Sequence, residues 1–538
     1  MRLVWKLLLI LLLFLIAVAL RIYPYLLTGA PWGVDSWTLM RNSNLLLSNS
    51  PTQLVGNPTF DTYNICWPAV SVFGAVASLV LGVAPLNLMP FLIPLVGSLT
   101  TLFLFVVVRK LTGNFLLAFV AATLFAVASF DAIFSASVTK ETFALPLFVV
   151  GVLLLLRKAK LPNLIVFSFV SLGLIMAHFA LAFVLFILAA ETSIVPLLMR
   201  RNQGERIQSQ KLLYPAMLGI IGLVYFFFYL NASPVSGVSM TIGDGLSLFA
   251  FLSLLAGFQV GFQHSSGSKN SSNRWAIPFV AIAIALILLV VGTRTAILPF
   301  APTLTADLVI DAAPYFAVSF MAVIGYLTLK QSENPSKAFL SLWLGVPLVL
   351  IAFSVFGTSL GFGPMYRLFT FLFMPLAVFA AFGLTNFIKG GNRIRHATKI
   401  SLAVAFLFVI VFALSFQSYS AVVENNNFLG GEWGFKPSDL SASSWVNAAL
   451  PSNTTFLGDS HVYGLFAYFG TKPNINSGYA YLTGVSAWNG EPLFTYNLMS
   501  KNGYDIIAYG EPLPADWSTK LSYDMSLVYS NGNDKLWV

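Results

Sequence analysis

The stretch WPAVSVFGAVASLVLGV, residues 67–83, decides how the rest of the chain is threaded through a membrane. It has no charged residue and is long enough to span a bilayer, which requires about 17–25 apolar residues. If it lies flat in the membrane surface, 19 of the 29 Lys and Arg residues fall on the cytoplasmic side, and if it crosses, every later loop changes side. Because cytoplasmic loops are rich in Lys and Arg, we predict that 67–83 lies in the outer membrane interface.

Thirteen further apolar runs are long enough to cross the membrane. The first follows Arg2 and Lys6, and no small-residue cleavage site comes after it. It therefore predicts an uncleaved helix with a cytoplasmic N-terminus. The chain is predicted to be an all-α polytopic bundle of about 13 transmembrane helices in the plasma membrane. The runs lie near 4–20, 86–108, 115–134, 143–156, 161–177, 179–199, 212–230, 244–262, 276–296, 309–329, 338–357, 367–388 and 398–416.

The composition agrees with lipid as the main solvent of this chain. Of its 538 residues, 57% are hydrophobic and 9% are charged, whereas soluble domains have roughly 25% charged residues. The net charge of +9 comes from short cationic clusters between apolar runs, which is a topology signal and argues against nucleic-acid binding. The single cysteine, Cys66, excludes an internal disulfide.

The two ends of the chain are predicted to differ in kind. Residues 1–416 form the bundle, with a long outer loop at 21–66 ahead of the in-plane segment. Residues 417–538 are rich in Asn, Gly and Ser and contain short alternating runs, such as 505–509 and 526–529, that are typical of strands. An odd number of crossings places this tail outside the cell, so we predict a small extracytoplasmic α/β domain.

Asp35 is the first carboxylate that the chain delivers to the outer face, in the run Gly33-Val34-Asp35-Ser36-Trp37. A carboxylate there could act as a general base or bind a metal ion. It could equally cap the helix that begins at Trp37, because Asp is a preferred N-cap residue. Spacing alone leaves both interpretations open.

Four other polar residues on the outer face have two interpretations each. Lys140 and Glu141 at a helix start are either a surface charge and a dipole-compensating acid, or part of a reaction site with Asp35. His178 between two apolar helices is either an ordinary turn residue or a metal ligand. Arg367, after a Gly-rich turn, either anchors the helix at the interface or holds a phosphate.

In their order along the chain, these residues resemble those of the GT-C superfamily of membrane glycosyltransferases. The resemblance is greatest to the catalytic subunit of oligosaccharyltransferases and its archaeal relatives. The run Asp35–Arg41 is similar to the family's Asp-Pro-Trp-x-x-x-Arg element, and Trp67-Pro68-Ala69 opens the in-plane segment. Arg367 with Pro375 resembles the Arg and Pro of a late helix in the family.

Other parts of the chain match the family less well. Residues 135–143 fall where oligosaccharyltransferases carry an Asp-x-Glu-like motif, with Glu141 on its last acid and Thr139 at the other position. The family's Trp-Trp-Asp-Tyr-Gly motif, which recognises the acceptor sequon, is replaced by Gly458–Gly464 and lacks the Trp pair. The outer loop at 297–308 is short, with Asp307 as its acid.

The resemblance implies an inverting glycosyltransferase at the outer face. Its donor would be a sugar or glycan on a polyprenyl-phosphate-type lipid, and its acceptor a protein or another glycan. Asp35 would be the general base and Glu141 the second acid. The donor phosphate would be held by Arg367, Lys140, Arg294 and Arg41. Mg²⁺ or Mn²⁺, where a metal is used, would bind Asp35, Glu141 and His178.

Three alternatives remain open from the sequence. The chain could be a true oligosaccharyltransferase that glycosylates Asn sequons, a lipid-linked glycan transporter, or a non-catalytic scaffold. A transporter should show paired, broken helices and midplane charges. The sequence shows neither, since Glu191 is the only acid that it places well inside a predicted span.

Overall fold

The structure of the chain, a computed structural model, describes most of its residues. The predicted span at 276–296 and Arg294 lie outside the described residues, and the span predicted at 244–262 is described only in part. The described residues are 3–49, 54–57, 59–61, 63–201, 209–230, 248, 250–253, 255–256, 306–331, 336–356, 365–389, 396–423, 434–451, 454–470, 473–505 and 510–538.

The part of the chain before residue 424 is helical wherever a regular element is described. Its α-helices are α1 (Leu3–Thr28), α2 (Val34–Asn49), α3 (Ala69–Leu81), α4 (Pro85–Thr112), α5 (Phe115–Ala126), α6 (Ser129–Phe134), α7 (Lys140–Leu155), α8 (Leu161–Ala177), α9 (Phe179–Arg201), α10 (Leu213–Val224), α11 (Ala306–Gln331), α12 (Lys337–Phe356), α13 (Met365–Lys389) and α14 (His396–Val423). Short 3₁₀ turns at Asn64–Cys66 and Ser209–Leu212 and a π turn at Tyr225–Tyr229 complete it.

Six helices of the described part are long and apolar enough to cross a bilayer, so this is a multi-pass membrane protein. They are α1, α4 and α11 to α14, and five shorter apolar helices accompany them. The sequence predicts about thirteen spans, and this number stays a prediction. Helix α1 continues past residue 20 to Thr28, and α14 continues past residue 416 to Val423. The predicted loop start and the predicted tail boundary therefore both fall inside helices.

Helix α3 occupies most of the segment predicted to lie in the membrane plane. Its 13 residues give a length of about 20 Å, less than the roughly 30 Å of a hydrocarbon core. Gly82 ends it with a φ of +67°, which a residue with a Cβ adopts only at a cost. Pro85 then begins α4. One face of α3 is buried in the protein, and the other exposes Val76 and Leu79–Leu81. This agrees with a surface helix, although its orientation to the membrane stays a prediction.

The span predicted at 115–134 is wrong as one continuous helix. It ends at Ala126 and resumes as α6 from Ser129. The break is associated with Asp131, whose carboxylate is fully buried and pairs with the buried guanidinium of Arg21 on α1 at 2.5 Å. Arg21 also donates to the carbonyl oxygens of Ala17 and Ala126, so the interrupted backbone at the end of α5 finds a donor.

Helices α11 and α13 approach each other most closely at two glycines. A Cβ on Gly325 would collide with the carbonyl oxygen of Phe379, and a Cβ on Gly383 would collide with that of Met321. Small residues at such crossings let helix backbones touch inside membranes, where van der Waals packing rather than the hydrophobic effect drives association. This contact fixes α13 against the bundle.

The described part of the tail folds around a five-stranded mixed sheet. The strand order is β2-β1-β3-β7-β6, with β1 parallel to β2 and β3 and the remaining pairs antiparallel. The side chains of Phe466, Phe494 and Leu536 lie in its core. The elements are α15 (Pro437–Ala449), β1 (Phe456–Leu457), α16 (Ser460–Phe469), β2 (Pro473–Asn474), α17 (Ile475–Leu482), β3 (Leu493–Tyr496), α18 (Met499–Asn502), β4 (Tyr504–Asp505), β5 (Gly510–Glu511), α19 (Trp517–Asp524), β6 (Leu527–Ser530) and β7 (Asp534–Trp537).

Helix α16 of the tail packs across α2 of the first outer loop. A Cβ on Gly464 would lie 3.1 Å from the carbonyl oxygen of Val34 and 3.3 Å from Cβ of Trp37, so a larger residue would force these neighbours to shift by a few tenths of an ångström. The ring of Trp37 packs edge-on against Phe435 and Tyr468. The tail therefore packs directly on α2, the helix that carries Asp35.

Candidate active site

The start of α2 is clamped to the loop that precedes α7. The Ser36 hydroxyl accepts a hydrogen bond from the Val138 N–H at 2.9 Å and donates one to the Trp32 carbonyl. Gly33 has a φ of +85°, and a Cβ there would overlap the Ser137 side chain. These contacts bring the first and second predicted outer loops together, although 102 residues separate Ser36 from Val138.

Asp35 lies in the first turn of α2, which begins at Val34. It is therefore not the N-cap that was the alternative interpretation, although the helix dipole still favours a carboxylate at this position. Its side chain is exposed, whereas Ser36 and Trp37 beside it are fully buried. The structure thus presents one solvent-accessible carboxylate on a turn that packing holds rigid.

Glu141 and His178 form a buried pair. Thr139 caps α7 by accepting the N–H of Thr142 at 3.1 Å, which places Glu141 in the first helical turn. The His178 Nε2 lies 2.8 Å from the Glu141 carboxylate, and its Nδ1 accepts the N–H of Leu181 at 3.2 Å. Nδ1 therefore faces the backbone of Leu181, and Nε2 faces the Glu141 carboxylate. Both nitrogens of His178 are thereby engaged.

Lys140 is a buried cation at the same helix start. Its side chain is 4% exposed, and its ammonium lies 3.8 Å from the centroid of the Tyr63 ring. Burial raises the pKa of the nearby Cys66 thiol, and the charge of Lys140 acts against that rise. Within the described part of the chain, Nζ has no hydrogen-bond acceptor. A buried ammonium without an acceptor is costly, so this site suits an anionic ligand.

Arg41 lies near a second polar group at the contact between α2 and the tail. Burial raises the pKa of Tyr463 on α16, the charge of Asp61 raises it further, and the charge of Arg41 lowers it. Asp61 is held by the N–H of Asn64, which donates to its carboxylate, and by its own N–H, which donates to Asn42. Arg41 and Asp61 thus both lie close enough to the Tyr463 phenol to act on its pKa, in opposite directions.

No protein-family model and no curated protein matches this sequence. Solved structures do match. The archaeal oligosaccharyltransferase AglB from Archaeoglobus fulgidus, in complex with an inhibitory peptide and a dolichol-phosphate, superimposes with a TM-score of 0.56 at 12% identity, over 92% of this chain and 70% of that one. The fold of this chain is that of an archaeal oligosaccharyltransferase.

Two further solved structures also match this chain. The Archaeoglobus enzyme with Zn and sulfate gives a TM-score of 0.55 at 12% identity, over 91% of this chain and 68% of that one. ArnT from Cupriavidus metallidurans bound to undecaprenyl phosphate gives 0.47 at 11% identity, over 99% and 97%. At the level of the fold, the predicted resemblance to archaeal oligosaccharyltransferases is confirmed.

On this oligosaccharyltransferase-like fold, the predicted site residues come together only in part. The starts of α2 and α7 meet through the hydrogen bond between Val138 and Ser36. Asp35 precedes Ser36 by one residue, and Lys140 and Glu141 follow Val138 by two and three residues. Arg367 lies in the first turn of α13, and its side chain is outside what the structure describes, as is the whole of Arg294. The roles of these residues stay predictions.

The residues predicted to bind a metal ion do not fit one in the described arrangement. Glu141 and His178 bind each other, His178 has no free nitrogen, and Asp35 lies on the neighbouring turn. Over the described ranges, no group of three His, Cys, Asp or Glu side chains is placed to hold a metal. We therefore derive no step through a metal ion at this site.

The sequence interpretation missed the buried Arg21–Asp131 pair. From the sequence, Glu191 is the only acid predicted to lie well inside a span, but Asp131 is more deeply buried than Glu191. Charged residues within apolar runs usually pair with one another. An Arg and an Asp, each at the outer end of an apolar run, were the available signal.

Proposed function

We propose that this protein is a membrane glycosyltransferase of the GT-C type that uses a polyprenyl-phosphate-type donor at the outer face. The observation that carries the proposal is the buried ammonium of Lys140, which has no acceptor among the described residues and lies at the N-terminus of α7. Cation and helix dipole together favour a phosphate there. The exposed Asp35 carboxylate lies on the turn clamped against the same loop.

The proposed reaction is an inverting displacement. Asp35 takes the proton of an acceptor hydroxyl, whose oxygen forms a bond to the anomeric carbon of the donor sugar. The bond between that carbon and the phosphate oxygen breaks, and the lipid phosphate leaves with the negative charge. Lys140, with Arg41 and Arg367, stabilises this charge in a site from which water is largely excluded. Glu141, held by His178, is the second acid of the site.

A true oligosaccharyltransferase is the second candidate, favoured by the likeness to AglB, whose structure holds a peptide. In the position of the family's sequon-recognition motif, this chain has Asp459-Ser460-His461 at the start of α16. The acceptor, and whether one sugar or a whole glycan is moved, would follow from assays that offer sequon peptides and hydroxyl acceptors side by side.

The test is donor use by variants of Lys140, assayed with dolichyl- and undecaprenyl-phosphate sugars in membranes. We expect Lys140→Gln to raise the donor KM at least about tenfold, since a charge-assisted contact to phosphate contributes roughly 1.5–3 kcal/mol. Lys140→Arg should restore part of that loss. The matched control is Lys158→Gln, because Lys158 is exposed.

If Lys140→Gln used every donor as well as wild type did, the phosphate site would not be at α7. If wild-type membranes transferred no sugar from any of these lipids to peptide or glycan acceptors, the proposed activity itself would be wrong.

A further inference from the structure

A cleft of roughly 110 Å³ lies where the tail meets the bundle. Two elements of the bundle contribute Thr28 and Trp32 near the end of α1, and Val422 and Val423 at the end of α14. The tail contributes the rest of the wall: Gly434, Phe435, Lys436, Asp439, His461, Tyr496, Asn497, Leu498, Asn533 and Asp534. Trp32 precedes Asp35 by three residues, so the cleft adjoins the candidate active site.

Three stacked rings form one wall of this cleft. The His461 ring lies between Phe435, with centroids 4.4 Å apart and planes at 15°, and Tyr496, at 5.0 Å and 25°. The Tyr496 hydroxyl donates to Asp459 at 2.6 Å, which fixes the stack. Burial lowers the pKa of His461 to about 4, so this ring is neutral at physiological pH. This part of the wall is therefore aromatic and uncharged.

Two of the carboxyl groups that line the cleft, those of Asp439 and Asp534, lie in direct contact with each other. Asp534 is fully buried and accepts the side-chain N–H of Asn531 at 3.0 Å, and Asp439 accepts the backbone N–H of Lys436 at 2.7 Å. Burial and the charge of Asp534 raise the pKa of Asp439 to about 8, against the effect of Lys436. The two side chains thus give this part of the cleft wall carboxyl oxygens that can accept a hydrogen bond from a ligand.

Trp32 supplies an independent sign of a missing partner. Its side chain is 1% exposed and lines the cleft. Its indole N–H has no hydrogen-bond acceptor among the described residues. Buried indole N–H groups usually find an acceptor. A ligand that brings an oxygen into the cleft would provide one.

We propose that this cleft binds a sugar residue through its hydroxyl groups. A hydroxyl both donates and accepts, which matches the Asp439–Asp534 pair, the Trp32 N–H and the Asn497 amide at once. A bare cation would leave the indole N–H unpaired, and an anion would face two acidic side chains. The apolar face of a sugar ring suits the stacked aromatic wall.

This inference rests on the proposed function and extends it to a binding subsite beside Asp35. The sugar comes either from the lipid-linked donor or from a glycan acceptor. Trp32 lies three residues before Asp35, and its carbonyl oxygen accepts the Ser36 hydroxyl, so the cleft lies beside the turn that carries Asp35. The subsite would therefore set specificity rather than perform chemistry.

Direct binding by the full-length protein in nanodiscs tests the proposal. The probes are methyl glycosides of glucose, mannose, galactose and N-acetylglucosamine, followed by saturation-transfer NMR. We expect at least one glycoside to bind wild type, with an at least tenfold weaker Kd in Asp534→Asn. Asn497→Ala, a change at an exposed rim residue, should weaken binding without affecting folding. The matched control, Asp516→Asn, alters an exposed acid elsewhere in the tail.

Three outcomes would overturn the subsite. In the first, wild type binds none of the glycosides. In the second, wild type and Asn497→Ala bind them equally well. In the third, Ca²⁺ alone stabilises wild type but not Asp534→Asn. The last result would make the pair a cation site.

Transfer assays separate this proposal from the proposed function. If the control and Asn497→Ala transfer sugar with identical KM values, the function holds and the subsite fails. If glycosides bind but no sugar is transferred, the function fails. A raised KM for the lipid donor in Asn497→Ala assigns the subsite to the donor sugar, and a raised KM for the acceptor assigns it to the acceptor.

Discussion

Asp35 is the residue on which the proposed chemistry most depends. Packing holds its turn through Ser36 and Gly33 while its carboxylate stays exposed. We expect Asp35→Asn to leave the protein folded, because shape and polarity are conserved, and to lower kcat for transfer by about 10² or more, the usual contribution of a positioned base. Unchanged transfer by an intact variant would move the base elsewhere, and Asp61 would be tested next.

Asp459 is a residue whose titration should be visible in the stability of the protein. Burial and the charge of Asp505 raise its pKa to about 7, although hydrogen bonds from Tyr496, Asp505 and Val462 oppose this. Because the folded-state pKa exceeds the unfolded value, its contribution to stability is complete below about pH 4 and is lost as the pH rises through 7.

The variant Asp459→Asn isolates this titration. The stability of this variant relative to wild type should increase by a free energy on the order of 2 kcal/mol between pH 5 and 8. Its unfolding temperature should therefore rise relative to that of wild type over this range. Thermal scans of both proteins at matched pH values measure this. A constant difference across the range would mean that Asp459 is already ionised at pH 5.

At the scale of elements, the Arg21–Asp131 pair joins α1 to the short helix α6. Both side chains are almost completely buried, so removal of one partner leaves an uncompensated charge. We expect Asp131→Asn to lower the free energy of unfolding, measured in detergent, by about 3–5 kcal/mol. The double variant Arg21→Met with Asp131→Leu should recover much of that loss, because it leaves no charge unpaired. A double variant as unstable as Asp131→Asn would show that the pair itself, rather than charge balance, joins the helices.

For the whole molecule, the prediction that α3 does not cross the membrane fixes the side of every later loop. It places the end of α4 in the cytoplasm, because this arrangement puts most cations inside. With Cys66 replaced by Ala, a cysteine at Thr112 should be labelled only after the membrane is permeabilised. Thr112 is preferable to Gly113, whose φ is +66°.

The control for this experiment is Val485→Cys in the same background. Val485 is 80% exposed in the tail, which the same topology places outside the cell, so this cysteine should be labelled in intact cells. Labelling of position 112 from outside would reverse the topology of the chain.

Much of this protein is determined by local sequence. Hydropathy identifies the apolar helices, and end signals such as the Thr139 cap and Gly82 mark where elements begin and end. The charge count adds the predicted topology. These properties depend on a few neighbouring residues and on the solvent around them, so no long-range contact is needed to derive them.

Only the tertiary structure decided which polar groups meet. His178, a candidate metal ligand from the sequence, is the partner of Glu141, and Arg21 is the partner of Asp131, 110 residues away. The cleft joins Trp32 to Asp534 in the same way. The physical reason is that burial of a charge is tolerated only where packing brings a complementary group to it. That meeting depends on the arrangement of all the helices, which no single stretch of the sequence encodes.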